Sequence, residues 1–168
     1  MRFGNRIFVP WRAVLAVLAA AALCIVWGCG RSNEPAVFPL DFLAVDPAPG
    51  IVADGLGNLE VVDGLGLRWL CGPETVLRFH TGTAAPLRLL FRFESPLPGQ
   101  AVAVAVNGRE AGTFPADVTA LREAAFTTRA GENVVTLRFA VWNHGAVTFA
   151  PADPRRLAGL FRELALSP

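Results

Sequence analysis

The chain has 168 residues, 53% of them hydrophobic and 17% charged, with a formal net charge of +1. Every basic residue is an arginine and there is no tyrosine, so chemistry that passes through a lysine Schiff base is excluded. With the N-terminal leader set aside, the remainder is long enough for one domain with a real core and too short for two.

Arg2, Arg6 and Arg12 precede an unbroken apolar stretch from Ala13 to Val26, which closes on Val26-Trp27-Gly28-Cys29-Gly30. A positive region, an apolar region and a small residue before a cut form the layout of an export signal. With its cysteine at the cut, the segment resembles a bacterial lipoprotein signal, which implies lipidation of Cys29. Val26 and Gly28 match that pattern and Trp27 departs from it. Two alternatives stay open. One is an uncleaved anchor, for which residues 13–30 fall just short of the ~20 that span a bilayer comfortably. The other is a soluble exported form. Each places the protein in the cell envelope, facing the periplasm or the exterior, with the membrane as a partner in the first two. The leader takes residues 1–28.

Residues 29–168 carry 12 arginines against 14 acidic side chains. A net charge of −2 argues against nucleic acid as a partner, which would call for a basic face. Cys24 lies in the apolar segment and Cys29 at the cut, so Cys71 stands alone in the folded part. It reads as a small buried hydrophobe.

Residues 29–50, with Pro35, Pro39, Pro47 and Pro49, read as a tether. Phe38, Leu40, Phe42 and Leu43 are too apolar for a pure linker and predict that part of it packs back onto the domain, which is taken as 51–168. Asp54, Asn58, Glu60 and Asp63 cluster around two Asp-Gly-Leu-Gly turns at 54–57 and 63–66. Such oxygens suit Ca²⁺, but their spacing matches no EF-hand or repeat loop. They read as turn chemistry, and no cofactor or metal is expected.

From there the chain is strand-like. Leu77 and Phe79 oppose Val76, Arg78 and His80. Leu87, Leu89, Phe91 and Phe93 alternate with Arg88, Leu90, Arg92 and Glu94. Val102, Val104 and Val106 run into Asn107-Gly108, a tight-hairpin signal. Asp117 predicts a cap for a short helix through Leu121 to Ala124. Val135, Leu137, Phe139 and Val141 form a further alternating run that ends at Trp142-Asn143-His144-Gly145. Asp153-Pro154 predicts one helical turn over 154–158. Last, Leu160, Leu164 and Leu166 alternate with Phe161, Glu163 and Ala165, with Arg162 an exception on the apolar side. The whole predicts an all-β antiparallel β-sandwich behind an N-terminal apolar helix.

Catalysis finds little to work with. Ser32, Ser95 and Ser167 lie outside any G-x-S-x-G turn, and His80 and His144 have no metal-ligand spacing. Two carboxylates converging in a cleft would be needed for a hydrolase, and nothing singles out a pair. Binding suits the residues better. Trp69 and Trp142 offer flat faces to sugar rings, with Asn143 and His144 beside Trp142 at a strand end. Tryptophans at the edge of a core are the competing account.

The segments RWLCGPETVLRF (68–79), LRLLFRF (87–93), VAVNG (104–108), AGENVVTL (130–137) and DPRRLAG (153–159) together look like the galactose-binding-like jelly-roll modules found beside bacterial cell-surface glycosyltransferases and polysaccharide-assembly proteins. The resemblance covers roughly 60–166. Asp153, Arg155 and Leu157 match the family's closing segment, whereas Ala158 stands where the family has glycine. It implies a jelly-roll, a glycan partner and a structural clip formed by Asp153 and Arg155. The expectation is a lipid-anchored, non-catalytic glycan-binding or polysaccharide-assembly accessory. Its alternative is a protein–protein interaction module of a membrane complex, with an envelope protein as partner and no sugar ligand.

Overall fold

The structure, a computed structural model, describes residues 34–46 and 48–168. The expected signal or anchor helix and Cys29 lie outside the described residues. Two antiparallel sheets face each other. In the first, β3 (Leu56–Val62), β4 (Leu65–Cys71), β11 (Leu157–Ser167), β6 (Pro86–Glu94) and β9 (Asp117–Thr127) lie side by side in that order, and β1 (Leu40–Asp41) pairs with β11. The second has the order β2 (Ile51–Asp54), β5 (Glu74–Thr81), β10 (Gly131–Phe139), β7 (Ala101–Val106) and β8 (Arg109–Pro115). This is the all-β sandwich that alternation predicts, and there is no helix among the described residues.

Alternation builds the core directly. Leu87, Leu89, Phe91 and Phe93 of β6 meet Val102, Val104 and Val106 of β7 and Val135, Leu137 and Phe139 of β10 in one buried cluster. An aromatic chain bridges the sheets. The Phe91 ring lies 5.7 Å from Phe161 and 5.3 Å edge-on to Phe114, and Phe93 sits 5.8 Å from Phe161 and 6.0 Å from Phe139. Such rings add about 0.5–1.5 kcal/mol per pair beyond their burial. Asn107 and Gly108, with φ of 49° and 79°, make the tight turn between β7 and β8. The Asn107 side chain then bonds the buried Asn133 amide at 3.0 Å and accepts from the Val134 amide at 3.0 Å.

Part of the proline-rich segment packs onto the domain, as its apolar residues predict: Leu40 pairs with Leu166, and Phe42 is fully buried. Three expectations change. The segment 117–124 is strand, because its backbone pairs with β6 from Thr127–Pro86 to Asp117–Phe93. Asp117 does offer its oxygen, but to the Thr119 amide at 2.9 Å and hydroxyl at 2.7 Å, which closes a turn and starts no helix. Asp153 does the same for the Arg155 amide at 2.9 Å, so 154–156 is a bend and residues 157–158 already belong to β11. Along β11, a bulge between Phe161 and Glu163 shifts the register against β6. Phe161, not Leu160, therefore joins Leu164 and Leu166 in the core, and Arg162 is the extra residue, bonded to Glu94 at 3.0 Å.

Loops at 72–73, 95–100 and 140–156 gather at one end of the strands. The chain enters at the other, where the Ala36 amide bonds the His80 carbonyl at 2.8 Å. His80 opposes Glu132 at the start of β10, while His144 lies beyond its end. The two histidines therefore sit at opposite ends of the second sheet.

Candidate functional site

The β4 strand positions the first element. Its inward residue Leu70 is fully buried, so Trp69 points outward, opposite Leu160 of β11, and is half-buried there. The β3–β4 hairpin, turning at Asp63-Gly64, places Glu60 opposite Leu67. That register brings the Glu60 carboxylate one diagonal step from the indole, where it accepts from the Trp69 Nε1–H at 3.3 Å.

The loop before β11 supplies the rest. Arg155 forks onto Asp153, donating from Nε to both carboxylate oxygens at 3.0 and 3.1 Å and from Nη2 at 2.8 Å. Its guanidinium carbon also lies 5.8 Å from the Trp69 ring centroid, and its Nη1 stands 3.7 Å from Glu60. These bonds from the Arg155 side chain and amide hold the Asp153 carboxyl down to about 2, against an ordinary 3.8. The same side-chain bond raises the Arg155 guanidinium. The exposed His144 donates from Nε2 to the Asp153 carbonyl at 2.6 Å, with its own backbone at φ 60°. Cys71 is half-buried, and burial pushes its thiol up, away from the nucleophilic thiolate.

The other two expected ligand residues have different roles. Asn143 is fully buried and spends its amide on the chain itself. It donates to the carbonyls of Ala150, Asp153 and Arg155 at 3.1–3.2 Å and accepts from the amides of Phe149 and Ala150. It ties the 144–156 loop to the sandwich and has no capacity left for a sugar, which is not the binding role expected of it beside Trp142. Trp142 is wedged against backbone. A Cβ on Gly72 would lie 2.5 Å from the Trp142 Cβ, and one on Gly145 would lie 2.7 Å from its Nε1. The indole packs against the core and serves the loop's shape.

The oxygens around the two glycine turns disperse. Asp54 pairs with Arg78, Glu60 bonds Trp69, and Asp63 occupies the turn itself at φ 53°. Among the described residues no group of three or more His, Cys, Asp or Glu converges on a metal position. Sequence reasoning grouped Glu60 with turn chemistry and missed its contact with Trp69. The signal was the Asp-Gly hairpin, whose turn sets the pairing of residues 60 and 67.

The gathered groups offer a binding surface: an aromatic plate edged by an acceptor (Glu60) and a guanidinium (Arg155), with the exposed His144 imidazole further along, on the Asp153 carbonyl.

No family model matches the sequence, and no curated protein matches it. Solved structures do match. The crystal structure of a ruminal GH26 endo-β-1,4-mannanase aligns with a TM-score of 0.51 at 13% identity, over 80% of this chain and 26% of that one. The native structure of a family 35 carbohydrate binding module from Clostridium thermocellum aligns with a TM-score of 0.44 at 15% identity, over 79% of this chain and 100% of that one. A family 35 module from an environmental isolate gives 0.48 at 14% identity, over 79% and 93%. The mannanase likeness is one of fold: this chain is similar to about a quarter of that enzyme, and the shared feature is the β-sandwich.

Proposed function

We propose that the protein is a non-catalytic glycan-binding module held at the membrane, acting in the cell envelope as an accessory to polysaccharide binding or assembly. The half-exposed Trp69 indole, edged by Glu60 and Arg155, carries this reading. A sugar ring lays its apolar face on an indole and its hydroxyls need charged or polar partners at the edge, which is what these residues offer. The sandwich fold agrees with it as a scaffold, though fold alone does not specify a ligand. Anchoring rests on the export-signal pattern and Cys29. Mass spectrometry of the chain made in a bacterial host tests it: Cys29→Ser should leave an unlipidated, uncut chain.

The binding test is titration of the full chain, in neutral detergent, with a panel of bacterial polysaccharides and oligosaccharides. Trp69→Ala should weaken binding about tenfold or more, consistent with the loss of one stacked ring. Trp142→Ala should act through folding, lowering the unfolding midpoint. Binding that survives Trp69→Ala unchanged removes the site from the proposal.

One observation supports the protein-interaction reading. A groove of about 530 Å³ on the outer face of the first sheet runs between Leu65 and Val118, both exposed, over Arg162–Ala165. Glycan-negative protein that captures an envelope partner through Leu65→Asp-sensitive contacts would favour it.

A further inference from the structure

We infer that the Trp69 site takes a sugar with a free amino group, a hexosamine, in preference to neutral or uronic sugars; this rests on the glycan-binding reading above. Of the charged and titratable groups near the indole, Glu60 and Arg155 touch it, Asp153 is joined to it through Arg155, and His144 through the Asp153 carbonyl, with the Cys71 thiol two residues along β4. Three hydrogen bonds commit the Arg155 guanidinium to Asp153, so those two charges cancel locally. Glu60 forms a longer ion pair with Arg155 Nη1, at 3.7 Å, and accepts one hydrogen bond, from the neutral indole N–H at 3.3 Å. Two carboxylates therefore share one guanidinium, and one negative charge is in excess at the solvent-facing edge of the ring.

The indole face itself is the negative end of a quadrupole and attracts cations. That preference is already in use: the Arg155 guanidinium lies 5.8 Å from the Trp69 centroid. A ligand ammonium at the ring edge would find Glu60 as an acceptor and counter-charge, where two carboxylates share one guanidinium. A uronate carboxylate there would meet Glu60 and Asp153, with the one guanidinium already engaged. An acetamido group carries no charge and gains nothing from Glu60 beyond an ordinary hydrogen bond.

The test is calorimetric titration of the full chain in neutral detergent with tetramers of glucosamine, N-acetylglucosamine and galacturonic acid. The glucosamine tetramer should bind about tenfold tighter than the other two, the order expected of one added charge-assisted hydrogen bond to Glu60. Added salt should narrow the gap. Glu60→Gln should erase the preference with the unfolding midpoint unchanged. Glu110→Gln, which removes the same charge from β8, should leave it intact; equal losses in both variants would reduce the effect to bulk charge and overturn the inference. Trp69-dependent binding in which the acetylated or uronic tetramer matches the glucosamine one overturns the amine preference and leaves the glycan reading standing. No binding to any sugar, with the chain folded, overturns both.

Discussion

The Arg68 guanidinium meets the Asp46 carboxylate at 3.0 Å, joining β4 to the segment between β1 and β2. Only 4% of the arginine side chain is exposed. It also donates to three main-chain carbonyls: Phe42 at 2.7 Å, Gly57 at 2.9 Å and Val45 at 2.8 Å. A buried cation with four partners satisfies carbonyls that have no ladder to join. Arg68→Met keeps much of the volume and orphans those oxygens. It should destabilise the domain by about 3 kcal/mol, measured as a lower urea midpoint with unchanged slope. Asp46→Asn, at a half-exposed position, should shift the midpoint less.

Gly72 and Trp142 are in backbone-to-ring contact, and a methyl group at Gly72 would have to move the indole or the strand end. Gly72→Ala should cost about 1–3 kcal/mol, the range for overpacking a tight site. Gly82→Ala makes a clean control, since nothing lies within 4 Å of its Cβ position and its φ carries no left-handed strain. Thermal unfolding of the two variants should separate them.

Asn143→Ala removes five hydrogen bonds that hold the 144–156 loop. The expected loss is about 3 kcal/mol, because buried carbonyls and amides are left without partners. Hydrogen exchange should speed up first at the Phe149 and Ala150 amides, whose acceptor is the Asn143 oxygen. The loop also carries Arg155 and Asp153, so the variant should weaken glycan binding without touching the ligand.

Acid should open the Asp153–Arg155 fork late. The folded carboxyl titrates at about 2, below its ordinary 3.8. The folded chain thus binds this proton more weakly than the unfolded chain does. The contribution is whole above the unfolded value, fades as pH falls from 3.8 toward about 2, and is gone below that. Asp46 and Asp117 are lowered in the same direction by their hydrogen bonds. A carboxyl-carbon NMR titration should place the Asp153 midpoint near 2, and Arg155→Gln should return it toward 3.8.

Much of the fold was legible because the core strands bury one face each. In β6, β7 and β10 every second residue is apolar, and period two is the only repeat a half-buried strand can show. The Asn107-Gly108 turn was equally readable, since both positions need φ > 0. Local rules failed where a long-range partner decided. Asp117 and Asp153 carry the oxygen of a helix cap, but the following chain pairs with β6 in one case and enters β11 in the other. In β11 one inserted residue at Arg162 exchanges the faces; along the chain it shows only as an exception to the alternation, and the pairing with β6 makes it a bulge.

The candidate site divides along the same line. Trp69 and Trp142 look alike in the chain, as aromatics at strand ends. Packing distinguishes them, because Gly72 and Gly145 close on one indole and the strand alternation turns the other outward. Asn143 looks like a rim residue until five bonds account for its amide. Residue type and spacing therefore settled the core strands β6, β7 and β10 and the Asn107-Gly108 hairpin, since each depends on neighbours along the chain. The roles of Arg68, Glu60, Asn143 and the two tryptophans depend on groups brought from elsewhere in the sequence, and only the folded sandwich determines which of them meet.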